Sequence, residues 1–428
     1  MPHTSPFRLA VIGSGPAGCY LAQAMLRGAP ECEIVVFDRL PCPYGLVRYG
    51  VAADHQHTKA ITRQFDRLFA DPRVRFAGDV ELGRDLDLAA LREAFDAVVL
   101  ATGLSGDRPL DLPGSGLAGV HGAGTITRVL NSHPGERPVL PELGSDVVIV
   151  GGGNVAVDLL RFLVKDRAGY AESDVADHAL DTYLERPAER ITLINRSSAA
   201  DAKSDPQMLK ELAGLERARY SSPELAGETA REGDRVSAAR LAALAELTSP
   251  ERPAHPGPEV VLRFGATPLR LVGDGRVEAV EITAGGDVEL IPATAVLTAI
   301  GFRHRDEGLA ELTAEGSETG RIETGLYRTG WAKRGPRGAM PENRACAKQV
   351  ADEILEDLAA GAIAPGGAAG YDSLPANVRE RAISFEQWLT LDRHERELAP
   401  GDRIRRKLAD HRAMAAIARG ETERNRQP

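Results

Sequence analysis

Apolar runs alternate along this chain with longer segments in which apolar residues recur at helical spacing. Residues 8–12 and 33–37 have the composition of buried parallel strands, and residues 19–27 between them have the pattern of a helix. The same order returns with a strand at 146–150, a helix at 154–163 and a strand at 190–194. Strands that alternate with helices in this way predict an α/β fold with parallel sheets.

A glycine-rich turn joins the first strand to the helix in both repeats. Residues 13–18 read GSGPAG, and residues 151–156 read GGGNVA. Glycines at such a turn let the backbone approach a pyrophosphate at the N-terminus of the following helix. Each turn therefore predicts a dinucleotide site, and two such sites on one chain suggest electron transfer between the dinucleotides.

The residues that follow the second strand differ between the repeats. Asp38 follows the first, where a carboxylate can accept hydrogen bonds from both ribose hydroxyls. The other strand ends in Asn195, Arg196, Ser197 and Ser198, without an acid. A cation with hydroxyl groups suits a 2′-phosphate, which favours NADP over NAD at the second site.

Two strands that end in small-residue turns mark the predicted domain boundaries. They are residues 95–103 and 295–301, and we expect the chain to pass between nucleotide domains at each. Residues 1–105 and 300–428 would form one domain, and residues 106–299 would form the other. Residues 106–141 are rich in Gly and Pro and are predicted to be linker and irregular structure.

Composition limits the class of protein further. The chain has 428 residues, 43% hydrophobic and 27% charged, as in an ordinary globular protein of two or three domains. Residues 1–8 lack an apolar signal segment, so we expect a cytoplasmic protein without membrane insertion. The net charge of -10 argues against nucleic acid as a partner but allows a local basic surface.

The cysteines argue against two kinds of chemistry. Cys19, Cys32, Cys42 and Cys346 include no CxxC pair. No local iron–sulfur or other metal site and no redox dithiol is predicted, which disfavours a disulfide reductase.

Four motifs together resemble the adrenodoxin-reductase-like ferredoxin–NADP reductases over nearly the whole chain. They are residues 13–18, residues 43–55 (PYGLVRYGVAADH), residues 151–158 (GGGNVAVD) and residues 330–340 (GWAKRGPRGAM). The resemblance implies two Rossmann-like dinucleotide-binding domains, with the NADP domain inserted in the FAD domain. It also implies hydride transfer from NADPH to FAD, followed by single-electron transfer to a ferredoxin-type iron–sulfur protein.

The resemblance assigns residues to both cofactors. For FAD they are Ser14, Gly15, Ala17, Asp38, Leu46, Leu82, Trp331, Gly338, Ala339 and Met340. For NADP they are Gly151, Gly152, Gly153, Asn154, Val155, Arg196 and Ser197. Leu82 and Met340 could equally be packing residues, and Trp331 could be a core tryptophan.

The resemblance also places candidate catalytic residues near the reacting rings. His55 and Glu211 match a pair beside the rings, and Asp158 matches an acid on the NADP helix, where a structural role is equally open. The chain departs from the family at Ser197, where a second arginine is usual, and at Met208, where an acid is usual. We therefore expect a weaker NADPH preference than in relatives.

A basic surface is expected for the partner, because ferredoxins are usually acidic. The family places partner-binding arginines on a helix in the region of residues 231–247, where the candidates are Arg231, Arg235 and Arg240. We expect the protein to be a monomer.

Other flavoprotein classes remain as alternatives. A small subunit of glutamate synthase shares the paired fingerprints but should carry N-terminal cysteine clusters, which this sequence lacks. A flavin monooxygenase would need a substrate cavity, which a sequence neither shows nor denies. The departures at residues 197–199 and 208 also allow a degenerate flavoprotein that binds FAD but passes electrons slowly.

Overall fold

The computed structural model describes residues 6–253, 255–305, 312 and 316–421. The chain divides into two compact units. The first consists of residues 1–106, 132–135 and 302–428, and the second of residues 107–131 and 136–301. The second unit is thus an insertion in the chain of the first.

The strands alternate with helices along the chain. The strands are β1 (Phe7–Ile12), β2 (Cys32–Phe37), β3 (Val74–Ala77), β4 (Ala97–Leu100), β5 (Gly106–Asp107), β6 (Val120–Gly122), β7 (Asp146–Val150), β8 (Arg190–Asn195), β9 (Arg219–Ser221), β10 (Glu259–Phe264), β11 (Thr267–Val272), β12 (Ala279–Ala284), β13 (Asp287–Pro292), β14 (Ala295–Thr298), β15 (Phe302–Arg303), β16 (Arg321–Glu323) and β17 (Leu326–Arg328).

The α-helices vary from single turns to one long helix near the C-terminus. They are α1 (Pro16–Gly28), α2 (Leu46–Tyr49), α3 (Gln56–Lys59), α4 (Thr62–Phe69), α5 (Leu88–Ala94), α6 (Ala123–Leu130), α7 (Asn154–Val164), α8 (Asp177–Glu185), α9 (Pro206–Ala213), α10 (Arg235–Leu247), α11 (Trp331–Arg334), α12 (Met340–Ala359), α13 (Ala376–Arg381), α14 (Phe385–Glu397) and α15 (His411–Ala418). Among the described residues, no helix combines the length and apolar composition that crossing a membrane requires.

The first unit is built on a sheet with the strand order β16-β17-β4-β1-β2-β3. All neighbours in it are parallel except β16 and β17. Alternate residues of β1 enter different hydrophobic clusters, Leu9 and Val11 in one and Ala10 and Ile12 in the other. Because successive side chains of a strand point to opposite faces, this sheet is covered on both sides.

The second unit repeats the plan with a parallel sheet in the order β6-β14-β7-β8-β10-β9. A small antiparallel sheet, β11-β12-β13, is added to it. The glycine-rich turn follows β1 in the first unit and β7 in the second, and both are inner strands of their sheets. The carboxyl ends of such inner strands border the crevice at which open α/β sheets bind their ligands.

The structure corrects the predicted linker at residues 106–141. This segment contains β6 and α6, and Ile126, Val129 and Leu130 of α6 are buried. Glycine and proline are common before and after the helix, and they concealed it in the composition.

Candidate functional site

The first glycine turn uses its glycines for two different purposes. A Cβ on Gly13 would lie 2.4 Å from the Ala101 carbonyl oxygen, and a Cβ on Gly18 would lie 2.0 Å from the Gly13 carbonyl oxygen. These two positions are glycine because neighbouring backbone occupies the space. A Cβ on Gly15 would instead meet nothing within 4 Å, and Gly15 begins α1 without a side-chain cap. The N-terminus of α1 is therefore open to a phosphate.

Asp38 is fixed over this turn by hydrogen bonds. Its Oδ2 accepts from the Ser14 backbone N–H at 3.0 Å and from the Ser14 hydroxyl, and its Oδ1 accepts from the Leu40 backbone N–H at 3.0 Å. The side chain is half-buried and follows β2 directly. A carboxylate held in this way can accept further hydrogen bonds from ribose hydroxyls.

Two segments from the other family motifs meet the same turn. The Tyr44 N–H donates to the Ser14 carbonyl at 3.1 Å, which places Leu46, the first residue of α2, close to the turn. Gly330 has φ +66, and a Cβ there would lie 2.4 Å from the Cβ of Ala17. Trp331 at the start of α11 therefore lies beside the first turn of α1.

Two buried polar atoms near these segments lack partners within the part of the chain that the structure describes. They are Nε1 of Trp331 and Oγ1 of Thr102, in the turn after β4. The Trp331 ring stacks on Phe302 with centroids 5.4 Å apart. Buried polar atoms normally have hydrogen-bond partners, so these two fit a polar aromatic ligand such as a flavin.

The remaining FAD candidates differ in their surroundings. Leu82 packs against the cluster that contains Val80 and Leu86, as a packing residue would. Gly338 has φ +79, which favours glycine, and the Ala339 N–H donates to Glu342 at 2.8 Å. Met340 is partly buried at the first position of α12. Their contact with a cofactor stays a prediction.

The second glycine turn repeats the geometry of the first. A Cβ on Gly151 would lie 2.4 Å from the Ala299 carbonyl oxygen, whereas a Cβ on Gly153 would meet nothing within 4 Å. Gly153 begins α7 without a side-chain cap. The Asn154 side chain is already engaged, since its Oδ1 accepts from the Asp205 N–H at 2.8 Å. The open backbone at this helix N-terminus is again suited to a pyrophosphate.

Backbone hydrogen bonds show which residues of the two sheets correspond. The Gly13 N–H donates to the Phe37 carbonyl at 2.8 Å, and the Gly151 N–H donates to the Ile194 carbonyl at 2.9 Å. The next residue along is Asp38 in one unit and Asn195 in the other. Asn195 therefore takes the place of the carboxylate that is predicted to bind a ribose in the first unit, whereas the sequence pattern points to Arg196.

The Asn195 carboxamide lies against the second glycine turn. A Cβ on Gly152 would lie 2.2 Å from its Nδ2. The side chain is only 7% exposed, and Nδ2 has no hydrogen-bond partner among the described residues. Asn195 Oδ1 accepts from the Ser197 N–H at 3.2 Å, and the intervening Arg196 is exposed. The second site thus carries a buried amide donor and an exposed guanidinium where the first carries a carboxylate.

The candidate catalytic residues fall in both units. His55 is half-buried at the N-terminus of α3 in the first unit. Asp158 is half-buried on α7, and Glu211 on α9 forms an ion pair with Arg161 at 3.2 Å, both in the second unit. Their roles beside the reacting rings stay predictions.

The docking role predicted for Arg240 is wrong. Arg240 is only 8% exposed, and its guanidinium donates to the carbonyls of Ser204 at 2.9 Å and Ala200 at 2.6 Å. The predicted helix begins at Arg235, so Arg231 precedes it and pairs with Asp201 at 2.8 Å. Arg231 and Arg235 are exposed.

The cysteines lie inside the protein and do not form disulfides. Burial raises the pKa of Cys32 to about 12 and that of Cys42 to about 11. Burial also raises the pKa of the Cys19 thiol well above its usual range. A reactive dithiol needs accessible thiols that ionise near neutral pH, and these three do not.

Comparisons with known proteins agree with this architecture. The pyridine nucleotide-disulphide oxidoreductase family model matches residues 7–212. Cindoxin reductase from Citrobacter braakii is 42% identical over 97% of this chain and 92% of its own length. The mitochondrial NADPH:adrenodoxin oxidoreductase of Arabidopsis thaliana is 30% identical over 96% of this chain and 95% of its own length.

A solved structure extends the agreement to three dimensions. The structure of Mycobacterium tuberculosis FprA in complex with NADPH is 29% identical and superposes with a TM-score of 0.86, covering 97% of this chain and all of FprA. The α/β fold predicted from the sequence is confirmed. The chain belongs to the adrenodoxin-reductase-like family of ferredoxin–NADP reductases.

Proposed function

We propose that this chain is an NADPH-dependent FAD flavoprotein that passes electrons from NADPH to a ferredoxin-type iron–sulfur protein. One observation carries the proposal: two glycine turns open onto uncapped helix N-termini, with Asp38 over one and Asn195 followed by Arg196 at the other. The first arrangement suits a dinucleotide with a free ribose, and the second suits one with a 2′-phosphate.

The first unit would hold FAD. The Gly15 backbone and the N-terminus of α1 would face the pyrophosphate, and Asp38, oriented by Ser14, would accept the ribose hydroxyls. Trp331 and Leu46 would border the ring system. When bound, FAD supplies the chemistry that neither nicotinamide nor the protein has, since it takes up a hydride and releases electrons singly.

The second unit would hold NADPH. The backbone of residues 151–155 would face its pyrophosphate, and Arg196, Ser197 and the Asn195 amide would surround the 2′-phosphate. A guanidinium with neutral donors favours a phosphate dianion, whereas a carboxylate at residue 195 would repel it. The retained arginine supports a preference for NADPH, although the family usually has two.

The protein's part in the reaction is mainly positioning. His55 and Glu211 would orient the nicotinamide and control proton delivery, and Asp158 would support the NADP helix. Such alignment lowers the barrier because the reacting atoms are held at contact distance and water is excluded.

We infer the identity of the electron acceptor from the family to which the chain belongs rather than from any single side chain. Arg231 and Arg235 remain candidate contacts for an acidic partner, because both are exposed. We also propose that the protein is a cytoplasmic monomer, which gel filtration with light scattering would test.

The central experiment is anaerobic spectroscopy of the purified protein. We expect a yellow flavin spectrum that NADPH bleaches and that an oxidised ferredoxin restores. A protein without flavin, or a flavin that NADPH leaves oxidised, would contradict the proposal. A flavin that NADPH bleaches only slowly would favour the degenerate alternative.

The 2′-phosphate site has its own test. Arg196→Ala should raise the KM for NADPH at least about 10-fold, because it removes a charge-assisted hydrogen bond, and should leave NADH nearly unaffected. Arg219→Ala, an exposed arginine of the same unit, is the control. Equal losses with the two nucleotides would remove Arg196 from the site.

A further inference from the structure

We propose that α3, α4 and the start of α12 form a docking surface for the acidic iron–sulfur partner. We call this the α4 surface and define it by His57, Arg63, Arg67 and Arg344. It rests on the proposed function, since it names where the electron acceptor of that reaction would bind. It lies in the first unit and is separate from Arg231 and Arg235.

The α4 surface combines basic side chains with apolar and uncharged polar ones. A cleft of ≈ 650 Å³ opens there, and its lining consists of Ala60, Ile61 and Met340, of Thr58 and Gln64, and of His57, Arg63 and Arg67. Protein interfaces commonly combine a less polar centre with a polar rim. The cleft therefore fits a protein surface with an apolar contact and surrounding acids.

The arginines stand on a firmly anchored helix. Arg63 and Arg67 are one turn apart on α4 and exposed, while Phe65, Leu68 and Phe69 of the same helix are buried. Helical spacing puts residues four apart on one face, so the two guanidinium groups share a face opposite the anchor. Because the helix is held rigidly, less conformational entropy of its backbone is lost when a partner binds.

Arg344 is linked to this surface through the neighbouring helix α1. Tyr20 packs edge-to-face on Phe65 with ring centroids 5.2 Å apart. Arg344 on α12 is close enough to Tyr20 to oppose, by its charge, the rise in pKa that burial causes in that phenol. Arg344 is exposed and adds a positive charge near the first turns of α12.

The positive charge of the α4 surface is not neutralised by the chain itself. Arg63, Arg67 and Arg344 form no ion pair within the described ranges. The acid on the same helix, Asp66, accepts a hydrogen bond from the Tyr44 hydroxyl, which is buried. Its carboxylate is thus engaged on the interior side of α4.

The missing ion pairs at these three arginines contrast with the composition of the chain, and the acid at the start of α12, Glu342, accepts a hydrogen bond from the Ala339 N–H at 2.8 Å. Asp and Glu number 62 against 52 Lys and Arg, so acids are in excess overall. Several exposed arginines elsewhere do pair with acids, as in Arg270–Glu281 at 2.8 Å and Arg396–Asp392 at 2.8 Å. Unpaired arginines that share a surface attract an acidic partner and speed its association.

The position of the surface suits electron transfer. His57 lies two residues after His55, and Met340 closes the 330–340 motif, so both sides of the cleft continue into segments proposed to hold the flavin. A carrier docked here would be close to the proposed electron donor.

The test measures binding directly. An oxidised, acidic [2Fe–2S] ferredoxin is titrated into the FAD-loaded enzyme by calorimetry at low and high salt. The variant is Arg63→Glu/Arg67→Glu, and the control is Arg137→Glu/Arg219→Glu, the same charge change at exposed, unpaired arginines of the second unit. Arg231→Glu/Arg235→Glu is measured in parallel for the other candidate surface.

We expect Arg63→Glu/Arg67→Glu to raise the Kd at least about 10-fold at low salt, with the difference shrinking at high salt. Bleaching by NADPH and reduction of ferricyanide should not change, since neither needs docking. An unchanged Kd, or an equal rise in the control, overturns the α4 surface. A wild-type flavin that NADPH cannot bleach would instead overturn the proposed function.

Discussion

Asp38 and Asn195 occupy equivalent places in the two units and differ by one functional group. Asp38 accepts a hydrogen bond from the backbone of Ser14, while Asn195 presents a buried amide beside Gly152. A carboxylate there would bind a ribose diol and repel a phosphate, whereas a carboxamide is neutral. We therefore expect the choice of nucleotide to depend on this pair as well as on Arg196.

Asn195→Asp should shift the second site toward NADH. A carboxylate at residue 195 can accept from the Gly152 N–H, as Asp38 does from Ser14, and it would face the 2′-phosphate with like charge. We expect kcat/KM for NADPH to fall about 10- to 100-fold while that for NADH is kept or rises. Steady-state kinetics with ferricyanide measures both.

Asp38→Asn is the matched exchange in the other unit. It should weaken FAD retention but leave the NADPH-to-NADH ratio of the remaining holoenzyme unchanged. If Asn195→Asp also left that ratio unchanged, residue 195 would have no part in nucleotide choice.

The sequence predicted both glycine turns and the helices that follow them, but not every side chain that lies beside the turns. The predicted strand stopped at 194, whereas β8 includes Asn195, and a shift of one residue decides which side chain faces the turn. The predicted docking role of Arg240 was wrong for another reason. Its burial depends on the carbonyls of Ala200 and Ser204, about forty residues away, which helical spacing cannot reveal.

At the scale of elements, the glycines of a turn and of the helix that follows it have different roles. Gly18 is enclosed by the Gly13 carbonyl, while the space around Gly15 is open. The sequence motif marks both positions alike. Only the backbone packing separates the glycine that folding requires from the one that we expect the ligand to require.

Gly15→Val and Gly18→Ala should therefore fail in different ways. Gly15 has φ -69 and ψ 179, which valine tolerates, so that variant should fold normally yet bind FAD at least about 10-fold more weakly. Gly18→Ala should lower the free energy of unfolding of the apoprotein by about 1 to 3 kcal/mol, since backbone must move. Urea unfolding of the apoproteins and flavin titration separate the two effects. Equal stability losses would contradict this division.

The repeat of strand, turn and helix was predictable because its periodicity is local. The bounds of the other helices and strands depend on packing between distant parts of the chain. The helix α15 begins only at His411, and residues before it contact Glu395 instead. Arg405 contacts the Glu395 carboxylate, and the Leu408 N–H donates to it at 3.1 Å. For these residues, contact with the buried Glu395 carboxylate stabilises the fold more than another turn of helix would.

At the scale of the whole chain, the first unit is closed by contacts between distant segments. Asp79 follows β3 and is buried, and its carboxylate accepts hydrogen bonds from Arg381, His411 and Arg419. These three side chains lie on or next to α13 and α15, more than three hundred residues along the chain. Asp79 thus holds the C-terminal helices to the nucleotide-binding sheet.

The Asp79 cluster should make stability depend on acid pH. Burial disfavours the charged form, but hydrogen bonds from His411 and Arg381 outweigh it and lower the pKa of Asp79 from 3.8 to about 2. A depressed carboxyl pKa contributes stability that is fully present above the unfolded value and is lost as the pH falls through the folded value. The contribution is about 1 to 2 kcal/mol near neutral pH and disappears between about pH 4 and pH 2.

Asp79→Asn should lower the urea midpoint at neutral pH, and its difference from wild type should narrow as the pH falls through that window. Arg84, Arg381, Arg419 and His411 all face Asp79, and the variant would remove the carboxylate charge that these four side chains share. Asp71→Asn is the control, because Asp71 pairs only with nearby Arg73 in a partly exposed ion pair, which contributes little. A difference that stayed constant down to pH 2 would mean that Asp79 acts through packing rather than through its charge.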